Sequence, residues 1–171
     1  LNLGEACGAV MLTKTGTSDL VAIDGGSASD DANHISGPSR TGDGLYFAMR
    51  DAMSEAGVGP ADVDMLQMHG TATAYNDEME SKAAGLAGLS DVPSQSLKPY
   101  FGHTMGASGI IETILAAEEL KRGIFLGVKG FEELGVPVPL NVSSENRLIR
   151  NPHHCLKTAS GFGGTNAAVL L

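Results

Sequence analysis

Three short segments hold the residues that could do chemistry: HGTATAYND over 69–77, KPYFGHTMGASG over 98–109 and SGFGGTN over 160–166. They set His69, His103 and Lys98 beside glycines and small side chains. Imidazole and ammonium groups offer N–H donors to a polar ligand, and glycine lets that ligand come close to the backbone. Each segment also has an ordinary reading. A histidine at a strand end is commonly hydrogen-bonded structure, a lysine is commonly solvated, and GFGG is commonly a tight turn. Their order and spacing, each next to an apolar strand or helix, set them apart.

The elements around them follow from periodicity. CGAVMLT (7–13) and LVAIDGGSAS (20–29) are β-rich runs broken by a turn from Lys14 to Asp19. Leu45, Ala48, Met49, Ala52, Met53 and Ala56 form one apolar helical stripe, which Gly57 ends. VDMLQMHG (63–70) predicts a short strand ending on His69, with a helix over 77–89 after it. SQSLK (94–98) predicts a strand ending near Lys98. GASGIIETILAAEELKR (106–122) predicts a helix apolar on most of its surface and therefore buried. HCLKTASGFGGTNAAVLL (154–171) predicts two strands around a glycine turn. The alternation gives an α/β class with a layered sheet. His69 and the Lys98–His103 loop fall just past strand ends, where open α/β sheets place ligands.

Composition excludes several functions. A net charge of −9 leaves no basic stripe for nucleic acid. No apolar run is long enough for a membrane span, and the start carries no signal-peptide pattern. Cys7 and Cys155 are far apart with no CxxC, which fits a reducing cytoplasmic setting without disulfides. His34, His69, His103, His153 and His154 show no ligand-like spacing, so no metal is expected.

Taken together, HGTATAYND, KPYFGHTMGASG and GFGGTN resemble the C-terminal half of a β-ketoacyl–acyl carrier protein synthase. GEACGAVML and DANHISGP (31–38) resemble further stretches of that family, and the likeness covers nearly the whole chain. It implies a thiolase-like fold, C-terminal half: α-β-α layers with a mixed five-stranded sheet, as one domain over 1–171. It implies a decarboxylative condensation of a malonyl thioester with an acyl group held on cysteine. His69 and His103 then match the histidines that bind the malonyl thioester carbonyl. Lys98 matches the active-site lysine, paired with Glu112. Phe162, flanked by Gly161 and Gly163, matches the gating residue and one oxyanion-hole amide. Thr71 and Thr73 match residues that bind the pantetheine arm. No cofactor is implied beyond the carrier's phosphopantetheine. The implied partners are acyl carrier protein, malonyl and acyl thioesters, and a second copy of the full-length enzyme.

The same resemblance marks departures. Ala72 stands where the family commonly has glycine, a small change expected to be tolerated. Ser160 replaces a common aromatic, which leaves the acyl pocket's shape open. The family's nucleophilic cysteine belongs to an N-terminal half that these residues do not include, and the chain begins at Leu1 without an initiator Met. Neither Cys7 nor Cys155 matches it. The chain alone is therefore expected to be inactive and to expose apolar surface that favours self-association. A non-catalytic partner subunit, like a chain-length factor, is the rival reading. Retention of His69, His103 and Lys98 together speaks against it. The few basic residues, such as Lys121, Arg122, Lys129 and Arg147, are candidates for carrier docking.

Overall fold

A computed structural model describes residues 1–17, 19–37 and 39–171. Pro38, the last residue of the DANHISGP stretch, and Ser18, within the expected 14–19 turn, lie outside the described residues. The chain runs β1 (Gly25–Asp30), α1 (Asp43–Ala56), β2 (Met65–Gln67), α2 (Ala74–Leu86), β3 (Pro93–Gln95), α3 (Lys98–Phe101), α4 (Ser108–Arg122), β4 (Ile124–Phe125), β5 (Asn141–Val142), β6 (Arg147–Leu148), β7 (Cys155–Ser160) and β8 (Thr165–Leu170).

The main sheet has six strands in the order β1-β8-β7-β2-β3-β5, one more than the five expected, and β4 pairs with β6 apart from it. β7, β2, β3 and β5 are parallel neighbours, while β8 runs antiparallel to both β7 and β1. Helices cover both faces. On one, Leu45, Ala48, Met49 and Ala52 of α1 and Met79 and Ala83 of α2 bury Leu66, Leu156, Ala168 and Leu170. On the other, Ala116 and Leu120 of α4 meet Met65, Cys155, Phe125 and Leu171. The period-2 alternation of β2 and β7 sends successive side chains to these two helical layers.

The expected α1 stripe is the buried one, and Gly57 closes the helix in the left-handed region at φ 72. The glycine-turn hairpin of β7 and β8 is also present. Five expectations need correction. The strand expected over 94–98 is β3, Pro93–Gln95, and Lys98 opens the helix α3 instead of ending a strand. Residues 7–13 form no strand and are mostly exposed, because among the described residues no neighbouring strand offers a hydrogen-bond ladder there. The second expected strand is shorter, starting at Gly25 where pairing to β8 begins. α2 starts at Ala74 and ends at Leu86, three residues before the expected bounds at each end, since Thr73 already occupies the N-cap. α4 is only half buried, and its buried positions include Ser108, Glu112 and Glu119. Its isoleucines Ile110 and Ile111 are only partly covered, because the buried side of the helix is the mixed stripe of Ser108, Glu112, Ala116, Glu119 and Leu120.

Candidate active site

The parallel register places the carboxyl ends of three strands side by side. Gln67 of β2 faces Gln95 of β3 and Lys157 of β7. His69 follows β2 by two residues, Lys98 opens α3 just after β3, and the 161–164 turn follows β7. All three polar segments therefore gather at one edge of the sheet, where the strands end and their loops begin.

Lys98 is the hub. Its side chain is 5% exposed, and its Nζ donates to Glu112 Oε1 at 2.7 Å and to the carbonyl of His69. It also lies 3.2 Å from His69 Nδ1. An ammonium only donates, so His69 Nδ1 accepts and the ring proton sits on Nε2. His103 reaches the same state by another route. Its Nδ1 accepts from the Met105 N–H at 3.1 Å and meets Ser108 Oγ at 2.8 Å. Met105 sits at φ 53, a left-handed conformation that a side chain enters only at a cost. That turn is what aims its N–H at the ring. The His103 backbone is held as well, its N–H by Asn2 and its carbonyl by the Gly4 N–H.

The two rings meet edge to face with centroids 5.1 Å apart. Both are thus neutral imidazoles with Nδ1 occupied on the protein side. Burial, then the charges of Lys98 and Lys157, push the His69 imidazole down to about 2, and His103 adds in the same direction. Burial, then Lys98, also lower His103, with Glu112 opposing. The groups on His103 Nδ1 come from the turn that leads into α4 and from the first residue of that helix.

Glu80 of α2 braces the loop. Its carboxylate accepts the N–H of His69 at 2.7 Å, the N–H of Gly70 at 2.6 Å and the Asn76 amide at 2.7 Å. Asp77 accepts the Thr71 N–H at 3.1 Å. Burial pushes both carboxyls up, against those donors. Thr71 and Thr73 hydrogen-bond each other through their hydroxyls at 2.7 Å.

A match to "Beta-ketoacyl synthase, C-terminal domain" covers residues 20–132. The chain belongs to the β-ketoacyl synthase family. It is 30% identical to 3-oxoacyl-[acyl-carrier-protein] synthase 2 of Rhizobium meliloti over 99% of this chain and 42% of that protein. A β-ketoacyl synthase from Burkholderia phymatum has a similar structure, with TM-score 0.81 and 28% identity, covering 86% of this chain and 36% of the other. The ishigamide ketosynthase/chain length factor is similar too, with TM-score 0.80 and 28% identity over 86% and 36%. The chain spans about two fifths of the length of the curated relative it matches.

In this ketosynthase domain, His69, His103, Lys98 and Glu112 form one connected cluster. Phe162 stands apart from it on the β7–β8 turn, 83% exposed. The flanking amides are taken, Gly161 N–H by Thr165 O and Gly163 N–H by Ile35 O, and no described residue accepts from the Phe162 N–H. Cys155 is fully buried, its thiol pushed up by burial, while Cys7 is exposed on the strandless stretch. Neither touches the histidine cluster. Sequence reasoning missed Glu80, Ser108 and Lys157. Glu80 and Ser108 carry no local signature. Lys157 does: it is a charge in the middle of CLKTAS, a strand whose first four residues are all buried.

Proposed function

We propose that residues 1–171 form the C-terminal half of a β-ketoacyl–acyl carrier protein synthase, whose N-terminal half carries the nucleophilic cysteine. The observation that supports this best is the pair of imidazoles with occupied Nδ1 atoms, His69 by Lys98 and His103 by Met105 and Ser108. Each is left with Nε2–H as its donor. When a malonyl thioester loses its carboxylate as CO2, the electrons of the broken C–C bond move into an enolate. Its oxygen is the charge the two donors are suited to receive. The enolate carbon attacks an acyl thioester on cysteine, a C–C bond forms, and the thiolate leaves. The Phe162 N–H supplies one donor to the acyl carbonyl oxygen, with its ring as gate and Gly161 and Gly163 shaping the turn. Thr71 and Thr73 line the approach of the pantetheine arm, which an acyl carrier protein brings in. The enzyme needs no further cofactor, works in the cytoplasm and pairs with a second copy. Among the described residues no helix is long and apolar enough to cross a membrane.

A chain-length-factor-like subunit is the second reading, because similar solved structures include a ketosynthase/chain length factor pair. The buried Lys98–Glu112 pair favours the catalytic reading, since a subunit without chemistry gains nothing from a costly buried ammonium. The residue at the nucleophile position of the preceding segment decides: cysteine supports the synthase, and any other residue removes the condensation. In the complete enzyme, His69→Ala and His103→Ala should each lower malonyl decarboxylation by about 100-fold or more. The 171-residue chain alone should give no condensation product. Condensation by the isolated chain, or full decarboxylation by both variants, would overturn this reading.

A further inference from the structure

Lys157 has no part in the roles given above, yet it sits among them. It lies near the middle of β7, in register with Gln67 of β2. Its side chain is 3% exposed, and its Nζ is 2.6 Å from Glu112 Oε2, which is itself fully buried. It also donates to the carbonyl of Thr158. Glu112 therefore has a buried ammonium close to each oxygen: Lys98 hydrogen-bonds Oε1 at 2.7 Å, and Lys157 pairs with Oε2 by charge alone at 2.6 Å, outside hydrogen-bond geometry. Lys98 and Glu112 already balance one to one. A second ammonium is not needed for neutrality, and burying it is costly. What it adds is surplus positive charge beneath the histidine pair.

We propose that Lys157 is a positioning residue for that pair: it pins the second oxygen of Glu112, so that Lys98 keeps its seat on His69, and it supplies the buried positive charge that keeps His69 and His103 neutral. The proposal deepens the condensing role and rests on it for its catalytic consequence, though not for its electrostatics.

The surroundings bear this out group by group. His69 meets Lys98 of α3, the His103 ring and, through its N–H, Glu80 of α2, and it feels the charge of Lys157 of β7; Glu112 of α4 lies behind Lys98, and Asp77 acts on Glu80. His103 faces Ser108 of α4 directly and feels Lys98, Glu112 and Lys157. Burial is the largest influence on both rings and Lys98 the next; Lys157 lowers both, directly after Lys98 at His69 and after the opposing Glu112 at His103. Burial raises the Glu80 and Asp77 carboxyls, while the N–H groups they accept hold them down. Lys157 precedes the SGFGGTN motif by three residues, and the parallel register of β7 and β2 sets it opposite Gln67, two residues before His69.

The test is the titration of His103, followed by NMR of labelled histidines in the complete enzyme. Lys157→Met and Lys157→Gln remove the charge by two routes, one apolar and one hydrogen-bonding; Lys157→Arg keeps it. The titration midpoint of His103 should move up in both neutral variants and stay in place in Lys157→Arg. The active form needs neutral imidazoles, so the acid limb of the decarboxylation profile should move to higher pH in step. At neutral pH kcat should fall more than KM rises. An unmoved His103 titration in either neutral variant, with or without loss of activity, would reduce Lys157 to packing and overturn the proposal. Failure of the condensing reading looks different: the titration moves, but the unaltered enzyme decarboxylates nothing.

Discussion

Protonating His69 would set a second cation against Lys98 Nζ, 3.2 Å from its Nδ1, in a site only 5% exposed. The folded ring therefore resists a proton down to about 2, whereas an unfolded histidine takes one near 6.5. Between those values the unfolded chain binds the extra proton. Stability contributed by neutral His69 is complete above about 6.5 and is lost as pH falls below it, by about 1.4 kcal/mol per unit once the unfolded histidine is fully charged. Urea unfolding at pH 7.5, 6 and 5 should show this loss in the native protein. His69→Gln, which cannot take the proton, should flatten the dependence by that amount. Equal slopes for the two would mean that the ring titrates normally in the fold. The motifs made His69, Lys98, His103 and Glu112 legible in sequence, because each sits in a run of distinctive neighbours. Glu80, Ser108 and Lys157 were not, because their importance comes from what folding sets opposite them.

The loop between β2 and α2 carries two backbone conformations of unequal cost. Gly70 lies at φ 45, and a Cβ there would stand 2.4 Å from Ser96 Cβ. Ser96 Oγ in turn donates to the Gly70 carbonyl at 2.7 Å, so this close approach ties the His69 loop to the segment leading into Lys98. Ala72 lies at φ 55 with an exposed side chain. The small change noted in sequence is thus held in a left-handed conformation that costs an alanine about 1 kcal/mol. Reciprocal swaps should have opposite signs. Ala72→Gly should stabilise by about 1 kcal/mol, since it relieves strain and loses no contact, less what glycine gains in unfolded-state entropy. Gly70→Ala should cost about 2 kcal/mol or more and lower activity, because the two loops must part. Thermal unfolding of both variants checks this, and a stabilising Gly70→Ala would contradict the close approach. At this scale the sequence was readable where periodicity was strong, as in α1 and the β7–β8 hairpin. It misled at residues 7–13, whose apolar pattern is strand-like but whose pairing partner is not among the described residues.

For the whole molecule, two properties oppose each other. Val10, Met11 and Leu12 are exposed, Met11 at 94%, and the stretch that carries them passes over α4, where Gly8 lies against Ile110 and Ile111. Met105 and Phe162 are exposed as well. So much apolar surface on one domain favours association, by burial of area at about 25 cal/mol per Å2. The net charge of −9 repels a second copy. Salt acts on both in the same sense: it screens the repulsion and, for sulfate, strengthens apolar burial. Sedimentation velocity on the 171-residue chain should therefore show self-association that grows from low to high ionic strength and further with sulfate at equal ionic strength. Association driven by charge pairs would weaken with salt instead, and the apolar account would fall. A chain that stays monomeric in all three conditions would mean that the exposed residues are too scattered to form one patch.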